Sequence, residues 1–406
     1  MRVFIVYIIL CLGLICMQGM DYPLKNIGIA LSSPKNNTQI PIESKKLLES
    51  TSGIKNFQEQ TSAALIAKLH TKENLVIRIL GDSHIAGDFL SHRLRGLFFQ
   101  NYTFGFVYPL YPSYHQHIAL KYESTNFTIL NSRHSELDEY PLGGVVAKPT
   151  ALPAYITLTP KNNGEAAISQ IIFKSPNKGK VILVEDSTNQ KFLINAKRPN
   201  VWQILTLNLQ FPITINALNE EVLFGGFFIT KEKDKHNIIE NLGINGARSD
   251  LWLKWNKELA LQQMRILPAD LYILCYGSND ALSDNFDEKN FLKNYGNLID
   301  NIREANPQAS ILLLTPPPVV KKVSNATKRK KAVYKITKNA KPTQLAIAKL
   351  AEEKHTLLFN MEDFIQESGG KAQWEKANLA KPDVHLLPNG YKLIADKLYY
   401  EVQKLK

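Results

Sequence analysis

Ser83 stands at a point of the chain where a hydroxyl group could act as a nucleophile. It belongs to the hexapeptide Ile79-Leu80-Gly81-Asp82-Ser83-His84. The apolar run 76–80 predicts a buried strand, and the apolar residues after Ser83 recur at helical spacing. A hydroxyl at this strand-to-helix turn emerges at the carboxyl edge of a sheet, beside unpaired amides that can stabilise a developing anion. The alternative is structural: Gly81 makes the turn, and Asp82 or Ser83 caps the helix.

Two later turns could supply donors to the same anion. Gly246 and Asn279 each follow a predicted strand, within residues 241–247 and 276–280. Carboxyl ends of parallel strands share one edge of a sheet, so the Gly246 amide and the Asn279 carboxamide could join the Ser83 amide around one oxygen. Each turn alone is weak evidence, because glycine and asparagine are ordinary turn residues.

His385 could serve as the general base toward Ser83. It precedes the last predicted helix, and Asp383 lies two residues before it. A histidine oriented by a nearby carboxylate can take the proton of a serine hydroxyl. An isolated histidine in a loop is ordinarily a surface residue, so this interpretation depends on the other segments.

Alternating strands and helices predict the framework that brings these segments together. Predicted strands occur at 76–80, 238–243, 269–277, 310–315 and 357–359, and predicted helices at 250–264, 288–305, 331–353 and 388–404. One or two helices are predicted in 42–70, after a polar linker that begins at residue 21. This alternation indicates an α/β fold with a parallel sheet covered by helices on both faces.

Residues 104–235 interrupt the alternation. Runs rich in β-branched and aromatic residues occur there at 118–122, 127–130, 155–158, 167–173, 180–184, 201–207 and 222–229. They predict a β-sandwich inserted between residues 71–103 and residues 236–406. We expect the two junctions of this insert to lie close together, near the edge of the sheet that carries Ser83.

Residues 1–20 have the pattern of a secretory signal. They carry one charge, Arg2, followed by an apolar run and then Gln18-Gly19. Cleavage near Gly19 predicts a periplasmic protein. The alternative is an uncleaved amino-terminal membrane anchor, since no A-x-A site is present.

The chain is basic, with a formal net charge of +12 and a pI near 9.3. The charge is concentrated in residues 321–341, where aromatic residues for base stacking are scarce. For an exported protein the available polyanions are phospholipid headgroups and a wall polymer with carboxylated peptides, so no nucleic-acid partner is predicted. Peripheral association with the anionic envelope surface is one interpretation of the lysines, and a solvated loop is the simpler one.

In this order, the segments around Ser83, Gly246, Asn279 and His385 resemble the SGNH (GDSL) hydrolase superfamily. The narrower resemblance is to bacterial peptidoglycan O-acetylesterases, which are similar in their secretion signal and in a carbohydrate-module-like β-sandwich inserted after the serine segment. The resemblance implies a three-layer catalytic domain and a serine esterase that removes acetyl groups from the C6 hydroxyl of N-acetylmuramic acid in O-acetylated peptidoglycan. It implies an acetyl-enzyme on Ser83, an oxyanion hole of Ser83, Gly246 and Asn279, and no metal or organic cofactor.

The spacing of acid and histidine departs from the superfamily pattern. The superfamily usually has D-x-x-H, whereas here Pro382 stands three residues before His385 and the acid, Asp383, stands two before it. Asp383 is the predicted triad acid. A backbone carbonyl or another carboxylate could orient His385 instead.

Other functions stay open at this point. An acetyltransferase on the same fold would share the acyl-enzyme and pass the acetyl group to a glycan hydroxyl. A catalytically silent wall-binding protein would keep the fold, although retention of all four segment residues argues against it. A lipase or thioesterase is disfavoured because no long apolar lid segment appears outside the signal. If the insert binds glycan, its deletion should weaken activity on intact wall far more than on an aryl acetate.

Overall fold

The computed structural model describes residues 42–71, 74–135, 137–161, 166–231, 237–326 and 332–405. The predicted signal, the linker up to residue 41 and the basic run at 328–331 lie outside the described residues, as does the predicted end of the insert at residue 235. Among the described helices, none is long and apolar enough to cross a membrane.

A six-stranded sheet forms the framework that the alternating segments predict. In chain order its strands are β1 (Lys55–Asn56), β2 (Val76–Gly81), β14 (Ile238–Gly243), β15 (Leu271–Cys275), β16 (Ser310–Leu314) and β19 (Leu357–Phe359). Their order across the sheet is β1-β19-β16-β15-β2-β14, and neighbours are parallel except for β1, which is antiparallel to β19. Because β2 lies between β14 and β15, the turns that follow these three strands are side by side.

Helices cover both faces, because side chains of the buried strands alternate between them. In β2, Val76 and Leu80 pack on one face, and Ile77 and Ile79 on the other. The first face is covered by α5 (Lys257–Ile266), α7 (Glu288–Ala305) and α8 (Ala340–Glu353). The second is covered by α1 (Ile42–Ser50), α2 (Ser62–Thr71), α4 (Phe89–Phe98), α9 (Met361–Glu367), α10 (Gly370–Lys376) and α11 (Pro388–Val402). This is the predicted three-layer α/β arrangement.

The inserted strands form a β-sandwich of two antiparallel sheets around an apolar core. One sheet contains β3 (Gly105–Val107), β5 (Phe127–Asn131), β6 (Val145–Pro149), β8 (Ala166–Lys174), β11 (Gln203–Gln210) and β13 (Leu223–Thr230). The other contains β4 (Leu120–Thr125), β7 (Ala154–Pro160), β9 (Gly179–Glu185), β10 (Lys191–Ala196) and β12 (Ile213–Ala217). At the junctions, the Thr103 amide donates to the Asn237 carbonyl at 3.0 Å, so the two ends are adjacent. They lie beside the first residue of β14, Ile238, and therefore at the amino edge of the central sheet, so the predicted position near the Ser83 edge is wrong. The inserted β-sandwich predicted from the sequence is confirmed.

A buried polar network joins the insert to the first face of the central sheet. Arg78 of β2 pairs with Glu240 of β14, and both side chains are fully buried. The second Glu240 oxygen accepts a hydrogen bond from the Phe106 amide of β3 at 2.7 Å. Arg78 also donates to the Tyr272 hydroxyl at 2.9 Å and to the Leu267 carbonyl at 3.0 Å. Each buried charge is therefore satisfied, and the network fixes the insert against β14.

Two predicted helices are wrong in part. The first part of the predicted helix 331–353 contains a strand, β18 (Val333–Ile336), which pairs with the preceding strand β17 (Val320–Ser324), and α8 begins only at Ala340. Pro342 marks that start, because proline is tolerated in the first turn of a helix and not further inside it. The predicted helix 250–264 divides into a 3₁₀ turn at Leu251–Lys254 and α5, since Asn256 caps α5 by accepting a hydrogen bond at 2.9 Å from the Leu259 amide.

Candidate active site

The nucleophile turn joins β2 to a short helix, α3 (Ser83–Ala86). Asp82 caps α3, since its Oδ1 accepts a hydrogen bond from the amide two residues later at 2.9 Å. At Gly81 an added Cβ would lie 2.7 Å from the Cys275 carbonyl oxygen, so only glycine allows β2 and β15 to approach this closely. Ser83 is consequently presented, half-buried, at the carboxyl edge of the sheet.

His385 lies within hydrogen-bonding distance of Ser83. His385 Nε2 is 3.0 Å from Ser83 Oγ, and His385 Nδ1 is 3.1 Å from Asp383 Oδ1. The same carboxylate oxygen accepts a hydrogen bond from the His385 amide at 2.9 Å. The Asp383 side chain thus folds back onto the residue two positions later, as in an Asx turn. This geometry explains how the short D-x-H spacing can still bring a carboxylate to the imidazole.

A lysine that the sequence did not indicate supports the loop carrying these two residues. Lys371 of α10 donates from Nζ to the carbonyls of Lys381 and Asp383, each at 2.6 Å. The Lys381 amide closes the loop on the His385 carbonyl at 2.9 Å. Burial is the main cause that lowers the pKa of Lys371. No motif surrounds Lys371 in the sequence, so only the folded chain reveals this contact.

His84, the residue after the proposed nucleophile, makes hydrogen bonds on both sides of its ring. Its Nδ1 is 3.0 Å from the Tyr391 hydroxyl of α11, and its Nε2 is 3.4 Å from Ser278 Oγ. Burial lowers the pKa of His84 to about 3, so the ring is neutral at physiological pH. Because Ser278 precedes Asn279 and Tyr391 follows the histidine loop, His84 connects the serine, asparagine and histidine segments.

The Gly246 turn and the Asn279 side chain lie beside the nucleophile turn. Gly246 has a φ of +78°, in the left-handed region that favours glycine. Asn279 Nδ2 donates to the Ala247 carbonyl at 2.9 Å and lies 3.4 Å from Asp82 Oδ2. Within the described residues, the amides of Ser83 and Gly246 donate no hydrogen bond. Both amides are therefore available to an anion formed at this edge.

Two further carboxyl groups lie near the site, and both are buried. Burial raises the pKa of Asp82 to about 8 and that of Asp280 to about 6. Asp280 accepts hydrogen bonds from the amide and the hydroxyl of Ser249, the latter at 2.8 Å. Among the described residues, Asp383 is the carboxylate that hydrogen-bonds the ring of His385.

A cavity of about 670 Å³ opens beside Gly246 and Asn279. Arg133 of the insert and Lys254 of the catalytic region both line it. Lys254 Nζ donates to the Ser132 carbonyl at 2.8 Å, which joins the two regions across the cavity. The space next to the two residues that could bind an oxyanion is thus bordered by cationic side chains from both parts of the chain.

Comparison with known proteins identifies the class of this site. Residues 229–393 match the family described as GDSL-like lipase/acylhydrolase, and residues 103–214 match the N-terminal domain of peptidoglycan O-acetylesterase. The chain therefore contains a GDSL-like (SGNH) hydrolase domain together with the N-terminal domain of the peptidoglycan O-acetylesterases. Ser83 precedes both matched ranges, so its place in the site depends on the geometry given above.

A solved structure supports the fold. A peptidoglycan O-acetylesterase structure is 24% identical, covers 87% of this chain and 98% of its own, and superposes with a TM-score of 0.73. A family two carbohydrate esterase from Clostridium thermocellum in complex with cellohexaose is 11% identical, covers 68% of this chain and 98% of its own, and gives a TM-score of 0.30. No curated protein matches the chain. The predicted superfamily, fold class and enzyme class are confirmed.

Proposed function

We propose that this chain is a serine esterase that removes O-acetyl groups from peptidoglycan through an acetyl-enzyme intermediate on Ser83. The single observation that carries the proposal is the hydrogen-bonded series Ser83, His385 and Asp383, with distances of 3.0 and 3.1 Å, at the edge of an SGNH-type sheet. In the proposed mechanism His385 is the general base and then the general acid, and Asp383 orients it. The amides of Ser83 and Gly246 and the carboxamide of Asn279 are the proposed oxyanion donors.

Acylation follows from the arrangement of protons in this series. A proton on His385 Nδ1 faces Asp383, which leaves Nε2 free to accept the proton of Ser83. Ser83 Oγ then bonds to the acetyl carbonyl carbon, and the carbonyl oxygen becomes an oxyanion bound by the three donors. When the intermediate collapses, the bond to the sugar oxygen breaks, and that oxygen takes the proton from His385 Nε2. The sugar leaves as a free hydroxyl, and the acetyl group stays on Ser83.

Deacylation repeats the same steps with water. His385 Nε2 takes a proton from a water molecule, whose oxygen bonds to the acetyl carbon and forms a second oxyanion. Collapse breaks the bond to Ser83 Oγ, which recovers its proton from His385, and acetic acid is released and loses its proton to the solvent as acetate. All bonds and protons balance without an oxidant or a reductant, so this chemistry needs no redox cofactor.

The finer parts of the proposal concern substrate, location and domains. The cavity of about 670 Å³, which is lined by Gly246 and Asn279, falls in the size range of small-ligand sites, and we propose that it binds the glycan that carries the acetylated C6 hydroxyl of muramic acid. We assign residues 71–103 and 236–406 to catalysis and residues 104–235 to a carbohydrate-binding insert. The domain combination supports action outside the cytoplasmic membrane, and we propose that residues 1–20 direct the chain to the periplasm.

Asn279→Ala tests the proposed oxyanion hole. We expect turnover to fall on the order of 10²- to 10³-fold with little change in KM, because the lost donor acts mainly on the transition state. Steady-state kinetics on an aryl acetate would measure both constants. Asn279→Asp is a matched variant that keeps the shape and places negative charge beside the oxyanion, so it should be at least as impaired. A loss below about threefold in both variants would remove Asn279 from the mechanism.

Acetate release tests the proposed function itself. The purified chain lacking residues 1–20 should release acetate from O-acetylated peptidoglycan in the presence of a chelator, and should release none from peptidoglycan de-O-acetylated with mild base. A parallel reaction contains a glycan acceptor. Acetate release that requires the acceptor, with the acetyl group recovered on it, would favour the transferase. No reaction with either mixture would contradict both activities.

A further inference from the structure

The turn that carries Gly246 is held by residues of two different regions of the chain. Its two ends are fastened by the catalytic region. The Ile244 amide donates to the Gly81 carbonyl at 3.0 Å, and the Ala247 carbonyl accepts from Asn279 at 2.9 Å. The middle of the turn, Asn245 and Gly246, receives no such support from the described catalytic strands. The contacts of Asn245 and Gly246 therefore determine the direction of the Gly246 N–H group.

The inserted region holds this middle part through two side chains. The Asn245 amide donates to His115 Nε2 at 3.0 Å. Arg133 Nε donates to the Gly246 carbonyl at 3.0 Å, and the Arg133 side chain lies across the open face of Gly246. Both His115 and Arg133 fall within the insert, between β3 and β6. They contact consecutive residues of the turn from the insert side.

The protonation of His115 follows from its partners. A backbone amide can only donate, so His115 Nε2 must accept and the ring proton must sit on Nδ1. That nitrogen is 3.0 Å from the Ser113 carbonyl, which accepts the proton. The ring is thus oriented by its own loop and presents a fixed acceptor to Asn245.

The loop of the insert that carries His115 also contacts the end of α3, the short helix that begins at Ser83. The Gln116 amide donates to the Ala86 carbonyl at 3.2 Å, and Gln116 Nε2 donates to the Gly87 carbonyl at 2.9 Å. Two residues later, the Ile118 amide donates to Asp88 Oδ2 at 2.7 Å. Three residues of the insert, His115, Gln116 and Ile118, therefore contact the Gly246 turn, the end of α3 and the start of α4.

We propose that the inserted domain completes the catalytic site, with His115 and Arg133 as positioning residues that aim the Gly246 amide at the oxyanion. The inference rests on the proposed serine-esterase function and deepens it. Misplacement of a catalytic donor by about 1 Å can cost on the order of 10²-fold in rate. The insert is therefore required for the chemistry on any acetate ester. This differs from the sequence-based expectation that the insert serves chiefly to bind intact wall.

The test measures kcat and KM on a small aryl acetate, which is too small to need a glycan-binding surface. His115→Ala and Arg133→Met should each lower kcat by about 10- to 100-fold while KM changes by less than about threefold. His115→Gln should recover most of the loss, because its side-chain oxygen can occupy the Nε2 position and accept from Asn245. Arg133→Met keeps the aliphatic stem over Gly246 and removes only the donor.

The matched control is His134→Ala, at an exposed histidine next to Arg133 whose side chain makes no hydrogen bond or ion pair among the described residues. It should leave both constants unchanged. If the wild type is active and kcat is unchanged in both His115→Ala and Arg133→Met, the positioning role of these residues is wrong. The proposed esterase function would then still stand. A higher KM on peptidoglycan, with no loss of kcat on the aryl acetate, would also overturn the inference. That result would show that His115 and Arg133 bind the glycan and do not position the Gly246 amide. An inactive wild type would overturn the proposed function as well.

Discussion

Ser83→Ala is expected to lower esterase turnover by on the order of 10⁶-fold, the largest effect of any single substitution in this chain. The substitution removes the atom that bonds to the acetyl carbon in the acylation step of the proposed mechanism. Residual hydrolysis would come from water oriented by His385 and the remaining oxyanion donors. Steady-state kinetics on an aryl acetate, with protein freshly separated from wild-type contamination, would measure the loss.

The control for this variant is its folding. Ser83 is half-buried and its hydroxyl contacts only the ring of His385 among the described residues. We therefore expect an unchanged melting temperature and an unchanged affinity for a non-hydrolysable substrate analogue. Turnover within about tenfold of the wild type would exclude Ser83 as the nucleophile, because loss of the atom that forms the acetyl-enzyme must lower turnover far more than that.

Asp383→Ala is expected to have the second largest effect, a loss of turnover of about 10³- to 10⁴-fold. Without the carboxylate, His385 loses the partner that fixes its tautomer and stabilises its protonated ring. Asp383→Asn should lose less, about 10²-fold, for a reason specific to this site. One oxygen, Oδ1, accepts from both the amide and the ring of His385. The amide oxygen of asparagine can occupy that place, so only the charge is removed.

The ranking of Asp383→Ala and Asp383→Asn by turnover tests whether the position of Oδ1 or only the charge of Asp383 is needed. Kinetics on one aryl acetate would rank them, and melting temperatures would show whether the loop 381–385 stays folded. Alanine more impaired than asparagine supports the folded-back carboxylate. A loss below about tenfold in Asp383→Ala would indicate that another group orients His385. Equal losses would show that the charge, and not the position of Oδ1, is what matters.

The catalytic framework was predictable because its signals are local. The strand 238–243 and the helix 288–305 have the bounds that their apolar patterns predict. The turns after strands place Ser83, Gly246 and Asn279 at one edge of the sheet, since parallel strands must bring their carboxyl ends to the same edge. The place of the insert was predictable for the same reason, because periodicity changes from helical to alternating and back.

The parts that were missed depend on contacts between distant segments. Lys371 contacts the loop 381–385 from a helix whose sequence carries no motif. His115 contacts Asn245, and Arg133 contacts Gly246, each from more than a hundred residues away. His84 looks like a packing residue until Tyr391 and Ser278 are seen beside it. The strand Val333–Ile336 was assigned to a helix because its pairing partner, β17, is a polar edge strand without an apolar pattern.

The most direct test of the central claim is the site of covalent labelling by a serine-directed sulfonyl fluoride. Peptide mass spectrometry of the treated wild type should find a single sulfonyl group on Ser83, and activity should fall in proportion to labelling. The reaction requires both the activated hydroxyl and the neutral imidazole of His385, so His385→Ala should label far more slowly. Labelling of another serine, or full acetate release by a chain fully labelled at Ser83, would contradict the assignment of Ser83 as the nucleophile of a peptidoglycan O-acetylesterase.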